Sequence, residues 1–195
     1  ADERVLQMVS ALHEAHATMC DGQSMDLAFE RAEQVDLAEY HRMIAAKTAA
    51  LFGASSELGA LCAPCDRQTV RHYRELGRAF GVAFQIRDDV LGIWGSLQTT
   101  GKVRLNDIAR RKWTFPVVWA LAGPPSRARS RIADAYSGSR TLDSGEVRSV
   151  VEALEEVGAK EAAQAAIAEH LAVVERHRAG SVRDFLLSSL ELASP

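Results

Sequence analysis

This chain has few of the residues that bend, cross-link or anchor a protein. Aromatics make up 6% of its 195 positions and prolines number five. With alanine, leucine, arginine and glutamate dominant, that balance favours an all-helical fold. Three cysteines make no disulfide framework, so a reducing, cytoplasmic setting is the expectation. No apolar run approaches the roughly 20 residues that cross a bilayer. The amino terminus, ADERVLQMV, lacks the basic-then-apolar plan of a secretory signal. Basic residues are not in surplus either, and the net charge of −3 argues against a general nucleic-acid binder. The length fits one domain with a sizeable core, or part of a larger one.

What is present reads as a succession of helices. Residues 2–33 are expected to be helical, with Val5, Met8, Val9 and Leu12 as an apolar stripe. Asp36 and Glu39 have capping-box spacing and start a helix that should run to about Cys62, with Gly53 and Gly59 as weak points. Pro64 ends it, and Asp66 is placed to cap a long helix over Arg67–Trp94. Residues 95–107 are polar and glycine-bounded and predict a surface loop. Thr114 precedes a shorter helix near Pro116. Breaks at GPPS (123–126) and SGSRTLDSG (137–145) separate further helices at about 126–136, 145–156, 159–178 and 181–192. The pattern predicts an all-α helical bundle, with no internal repeat.

Chemistry shows where polar groups fall on faces that should be buried. In the helix over 67–94, Gly81, Gln85, Asp88 and Gly92 form one stripe, with Asp89 beside it and apolar residues crowding the other faces. A buried, unpaired carboxylate is costly, so these aspartates need a compensating cation. Taken alone, the pair admits a metal site, a salt bridge to Arg87 or another arginine, or an ordinary exposed face. Lys47 lies on the same helical face as Tyr40, Met43, Ile44, Ala50 and Leu51, either snorkelling to water or reaching an anion inside the bundle. Gln23 and Asp26 sit one turn apart in GQSMDL, and Gly101–Lys102 is followed by Asp107 and Lys112. Each of these is weak by itself. Together, acids on one helix, lysines on others and an apolar interior suggest a divalent metal clamping a phosphate ester with a hydrophobic tail.

Other motifs point nowhere. CAPC at 62–65 has no second pair to complete a zinc site, and HEAH at 13–16 is one residue short of a zincin motif. His170 and His177 share a helix face that reads as packed or solvated.

The order GQ-x-x-DL at 22–27, Y-x-x-M-I-x-x-KTA at 40–49, FQ-x-x-DD-x-L at 84–91, GK at 101–102 and D-I-x-x-x-K-x-T-x-P at 107–116 resembles the trans-type isoprenyl diphosphate synthases, or polyprenyl synthetases. Beyond about residue 125 the resemblance is of helix pattern only. It implies an isoprenoid synthase bundle around a deep apolar cavity. The implied reaction is Mg²⁺-dependent condensation of isopentenyl diphosphate with an allylic diphosphate, in an enzyme that is commonly a homodimer. By position it gives Asp88 to the metal with Asp89 and Gln85 in support. Lys47, Lys102 and Lys112 go to the allylic diphosphate, and Thr48, Gln85 and the Lys47 carbonyl to the developing cation. Phe84 goes to the isopentenyl tail, Gln23 and Asp26 to a polar outer layer, and Tyr40 to the cavity wall.

Three departures qualify it. Only the second of the family's two Asp-rich motifs is present, so the chain is expected to be a C-terminal part that does not catalyse alone. Gly92 stands where many members carry a third aspartate, and restoring that acid is expected to tighten metal binding. Ser96 replaces an acid often found after Gly95. A regulatory subunit, a class I terpene cyclase and a site-less structural bundle are the rival readings.

Overall fold

The computed structural model describes residues 2–95, 106–138 and 140–176, together with 184, 186 and 188. Among the described residues there are helices and no strand. They are α1 (Asp2–Phe29), α2 (Leu37–Ile44), a π-helical turn (Ala45–Ala49), α3 (Ala50–Leu61), α4 (Arg67–Trp94), α5 (Asn106–Ala109), α6 (Phe115–Ala122), α7 (Arg127–Tyr136), α8 (Ser144–Glu156) and α9 (Ala159–Glu175). No described helix is long and apolar enough to cross a membrane.

Local chemistry sets most boundaries. Asp36 accepts from the Glu39 amide at 2.7 Å while Glu39 accepts from the Asp36 amide at 2.9 Å, completing the capping box that opens α2. Asp66 accepts from the Thr69 amide at 2.7 Å and opens α4. The α1 helix ends before residue 33, because the amides of Arg31 and Ala32 turn back to the Ala28 and Phe29 carbonyls. The helix expected over 181–192 lies outside the described residues except at 184, 186 and 188, which are helical.

Two expectations fail on packing. The segment from Asp36 to Cys62 is not one regular helix, because Ala45–Ala49 widens into a π turn in which the Ala50 amide reaches back to the Ala45 carbonyl. And the α1 stripe is not buried: Val5 is 56% exposed and Leu6 68%, with Val9 and Leu12 also open. The core forms instead around α4, where Ile86 and Ile93 pack with Tyr40, Ile44, Ile108, Val117, Ile132 and Leu154. A smaller cluster of Leu76, Phe80, Val174 and Leu186 holds α4 to the C-terminal region.

Candidate diphosphate and metal site

The site is built where α1, the π turn, α4 and the segment after α5 meet. The π turn is gripped from both sides. A β-carbon at Gly22 of α1 would lie 2.2 Å from the Lys47 nitrogen, and one at Gly81 of α4 would lie 2.7 Å from the Ala49 α-carbon. Only glycine permits this approach of backbone to backbone, and it fixes the turn that carries Lys47 and Thr48. Lys47 then reaches the Asp26 carboxylate of α1 in a short ion pair between half-buried side chains.

From Thr48 a hydrogen-bonded chain runs inward. Its hydroxyl donates to Gln85 Oε1 at 2.7 Å, and Gln85 Nε2 donates to Asp89 Oδ1 at 3.2 Å. Asp89 Oδ2 accepts from the Tyr40 hydroxyl at 2.6 Å and from the Phe115 amide at 2.8 Å. Asp89 is 2% exposed, and it caps the N-terminus of α6 from a different helix, where the helix dipole favours negative charge. Thr114, expected to cap α6 itself, stands at the cap position but makes no capping bond, and its buried Oγ1 has no partner.

Burial still dominates the carboxyl: it is pushed up to about 6, against the pull of the Lys112 charge and the hydrogen bonds from Tyr40, Phe115 and Gln85. Burial and the neighbouring Asp89 charge likewise hold the Tyr40 hydroxyl well above its ordinary value. Both oxygens of Asp89 are committed to protein donors, and compensation comes from them and from Lys112 rather than from Arg87.

Asp88, one residue earlier, lies on a different face of α4 and is only partly buried. Its charge reaches Lys112, as do those of Asp89, Asp107 and Asp26. Burial would lower the Lys112 ammonium, but these four carboxylates outweigh it and hold it above the usual lysine value. Lys112 thus lies amid acids from α1, α4 and α5. Its closest ion pair is Asp107 at 3.9 Å. A cleft of about 560 Å³ opens beside them, lined by Asp26, Phe29, Asp107, Arg110, Lys112 and Trp113 among others.

Gly92 has a specific neighbour as well. A β-carbon there would lie 2.7 Å from Asp107 Oδ2, so the space a third aspartate would fill already holds a carboxylate from α5. An aspartate restored at 92 would therefore stand directly against Asp107.

Of the remaining expected residues, Phe84 and Gln23 stand outside this hydrogen-bonded chain. Phe84 is 39% exposed and packs on Phe52, with ring centroids 5.2 Å apart. Gln23 is exposed on α1 beside the buried Gly22. Lys102, Gly101 and Ser96 lie outside the described residues. Among the described residues, no three of His, Cys, Asp and Glu converge into a ready-made metal cluster. The oxygen-only donors at the cleft fit Mg²⁺, which binds through one or two carboxylates plus phosphate oxygens and water. His13 and His16 are tied to the Val9 and Leu12 carbonyls, and Cys62 and Cys65 are free thiols. The sequence reading missed Gly22 as a contact, the π turn, and the use of the Phe115 amide. The Gly22 and Phe115 contacts are non-local, and the only local trace of either is a glycine opening the GQ-x-x-DL motif.

Against known proteins, the family described as "Polyprenyl synthetase" matches residues 2–154. The chain is 39% identical over 163 residues to a (2E,6E)-farnesyl diphosphate synthase of Mycobacterium tuberculosis, covering 83% of this chain and 45% of that protein. It is 39% identical over 146 residues to a geranylgeranyl diphosphate synthase of the same species, covering 75% of this chain and 41% of that protein. It therefore spans about half the length of these relatives or somewhat less. A polyprenyl synthetase crystal structure from Streptomyces coelicolor superposes with a TM-score of 0.86 at 28% identity, over 97% of this chain and 58% of that one. A polyprenyl synthase from Caulobacter crescentus, complexed with calcium and isoprenyl diphosphate, gives 0.81 at 29% identity over 96% and 57%. The isoprenoid synthase bundle expected from the motifs is the fold found. The chain belongs to the polyprenyl synthetase family.

Proposed function

We propose that this chain forms one wall of a prenyl-transferring site. There, an allylic diphosphate ionises and condenses with isopentenyl diphosphate to give a longer polyprenyl diphosphate. The observation that carries the reading is the convergence on Lys112 of Asp26, Asp88, Asp89 and Asp107 from three helices, beside the Thr48–Gln85–Asp89 chain. A site-less bundle would have scattered these groups.

Ionisation leaves negative charge on the departing diphosphate and a cation on the allyl group. When bound, Mg²⁺ would supply positive charge to the diphosphate oxygens, and Asp88 is the side chain assigned to hold it, with Asp107 alongside. Lys47 and Lys112, with Lys102, bind the same diphosphate; for Lys47 this means exchanging Asp26 for a phosphate oxygen. Thr48 donates its proton to Gln85, so its lone pairs remain for the allyl cation. The π turn frees backbone carbonyl capacity for the same purpose, including that of Lys47. Asp89 holds Gln85 in this orientation and does not touch substrate. Phe84, Gln23 and Tyr40 serve as tail contact, outer polar layer and support for Asp89. The exposed face of α1 formed by Val5, Leu6, Val9 and Leu12 suits a homodimer, and the setting is cytoplasmic.

The test is incubation of the full-length protein carrying this segment with Mg²⁺, isopentenyl diphosphate and allylic diphosphates of increasing length. Elongated product is expected. Cyclised hydrocarbon would favour the terpene-cyclase reading, and no turnover with intact pyrophosphate binding would favour the regulatory one.

A further inference from the structure

The segment that presents Lys112 ends α5 in a Schellman turn: the Lys112 amide donates to the Asp107 carbonyl and the Arg111 amide to the Ile108 carbonyl, each at 2.9 Å. In such a turn the residue in Arg111's place takes the left-handed conformation, which glycine adopts freely and which crowds the β-carbon of any other L residue. Arg111 has φ 54° and is the non-glycine residue with positive φ among the described residues. Nothing in the turn itself requires a side chain there.

The side chain has another engagement. Arg111 Nε donates to the Ala135 carbonyl at 2.5 Å, one of the carbonyls that the last turn of α7 leaves without a helical donor, at the negative end of its dipole. The guanidinium lies where Gly138 leaves room, its Nη2 2.9 Å from the position of a β-carbon. The next residue of α7 completes the attachment: the Tyr136 hydroxyl donates to the Lys112 carbonyl at 3.2 Å, and its ring packs on Trp113 with centroids 5.3 Å apart. Lys112 is therefore flanked by two ties to the same helix end.

We infer that Arg111 is a positioning residue for diphosphate binding. Its side chain tethers the turn to α7 and so aims the Lys112 ammonium into the cleft, in return for an unfavourable backbone conformation. The tether follows from geometry alone, and its use in binding rests on the reading of Lys112 as a diphosphate ligand.

Arg111→Gly separates the two roles, because it removes the tether and the backbone strain together. In the 195-residue chain, thermal stability should stay within about 3 °C of the parent, since the strain relieved offsets the bond lost. Hydrogen exchange at the Lys112 and Thr114 amides should accelerate about tenfold. Affinity for inorganic pyrophosphate with Mg²⁺, by titration calorimetry, should fall about three- to tenfold. Arg111→Lys, which keeps a cationic donor, should recover part of both losses. In a Lys112→Gln background the effect of Arg111→Gly on affinity should vanish.

Unchanged amide exchange in Arg111→Gly would overturn the tether. Faster exchange with unchanged affinity, while Lys112→Gln weakens binding, would overturn its role in positioning. Pyrophosphate binding that does not depend on Lys112 would instead overturn the diphosphate reading, and the exchange result would still decide the tether.

Discussion

Lys47 and Lys112 both lie close to Asp26 but are held by opposite means. Lys47 stands on a π turn clamped by backbone-to-backbone contact at Gly22 and Gly81. Lys112 stands on a short turn held by discrete hydrogen bonds, from Arg111 to Ala135 and from Tyr136 to the Lys112 carbonyl. Close packing tolerates no added atom, whereas a tether tolerates substitution and loosens by degrees. The first lysine is fixed as firmly as the core, and the second only as firmly as its bonds.

The contrast is broken most severely at Gly22. Gly22→Val places atoms on the Lys47 backbone, and it should cost on the order of 3 kcal/mol or prevent folding, read by chemical or thermal unfolding. Survival with unchanged stability would mean that the turn is not clamped. Asp88→Ala comes next: it should lower Mg²⁺-dependent turnover of the full-length protein about 100-fold or more, while circular dichroism remains helical. Unchanged kinetics would remove Asp88 from the metal.

Gly92→Asp should fail to tighten metal binding, and should weaken it a few-fold, because the new side chain displaces Asp107 from beside Lys112. Titration with Mn²⁺ followed by electron paramagnetic resonance measures this, and tighter binding would show that the two acids can share the space. The smallest effect lies on the other side of α2. There His41 shares a groove with Phe115 and Trp119 of α6 and with Glu169 and His170 of α9.

Burial lowers both histidines below the ordinary imidazole value; His170 lowers His41 further, and Glu169 opposes the shift in each. A lowered imidazole binds its proton less well folded than unfolded, so its contribution is full above about pH 6.5 and is lost as pH falls below it. His41→Gln should therefore flatten the decline in unfolding free energy between pH 7 and pH 5, and a slope identical to the parent's would remove His41 from that balance.

How far the sequence carried each lysine differs in the same way. The α4 boundaries were legible because Asp66 caps locally and Gly95 follows the last turn. The motif order from Gly22 to Pro116 was enough to suggest the family. Asp88 and Asp89 could not be told apart by type, since neighbours on a helix point roughly 100° apart, and it is Tyr40 and the Phe115 amide, from distant segments, that turn Asp89 inward. The π turn left no trace in AAKTA, whose small residues suit either helix. Arg111 reads as one more surface cation until α7 is seen beside it.

The π turn also bears on how this chain tolerates insertion and deletion. It places one extra residue in a rod that otherwise reads as a single helix from Leu37 to Leu61. Removing one residue from Ala45–Ala49 would restore regular winding and leave α2 and α3 close to their present phase. What would be lost is the widened turn itself, which Gly22 and Gly81 receive. The extra residue therefore shapes the turn and leaves the rod on either side of it undisturbed.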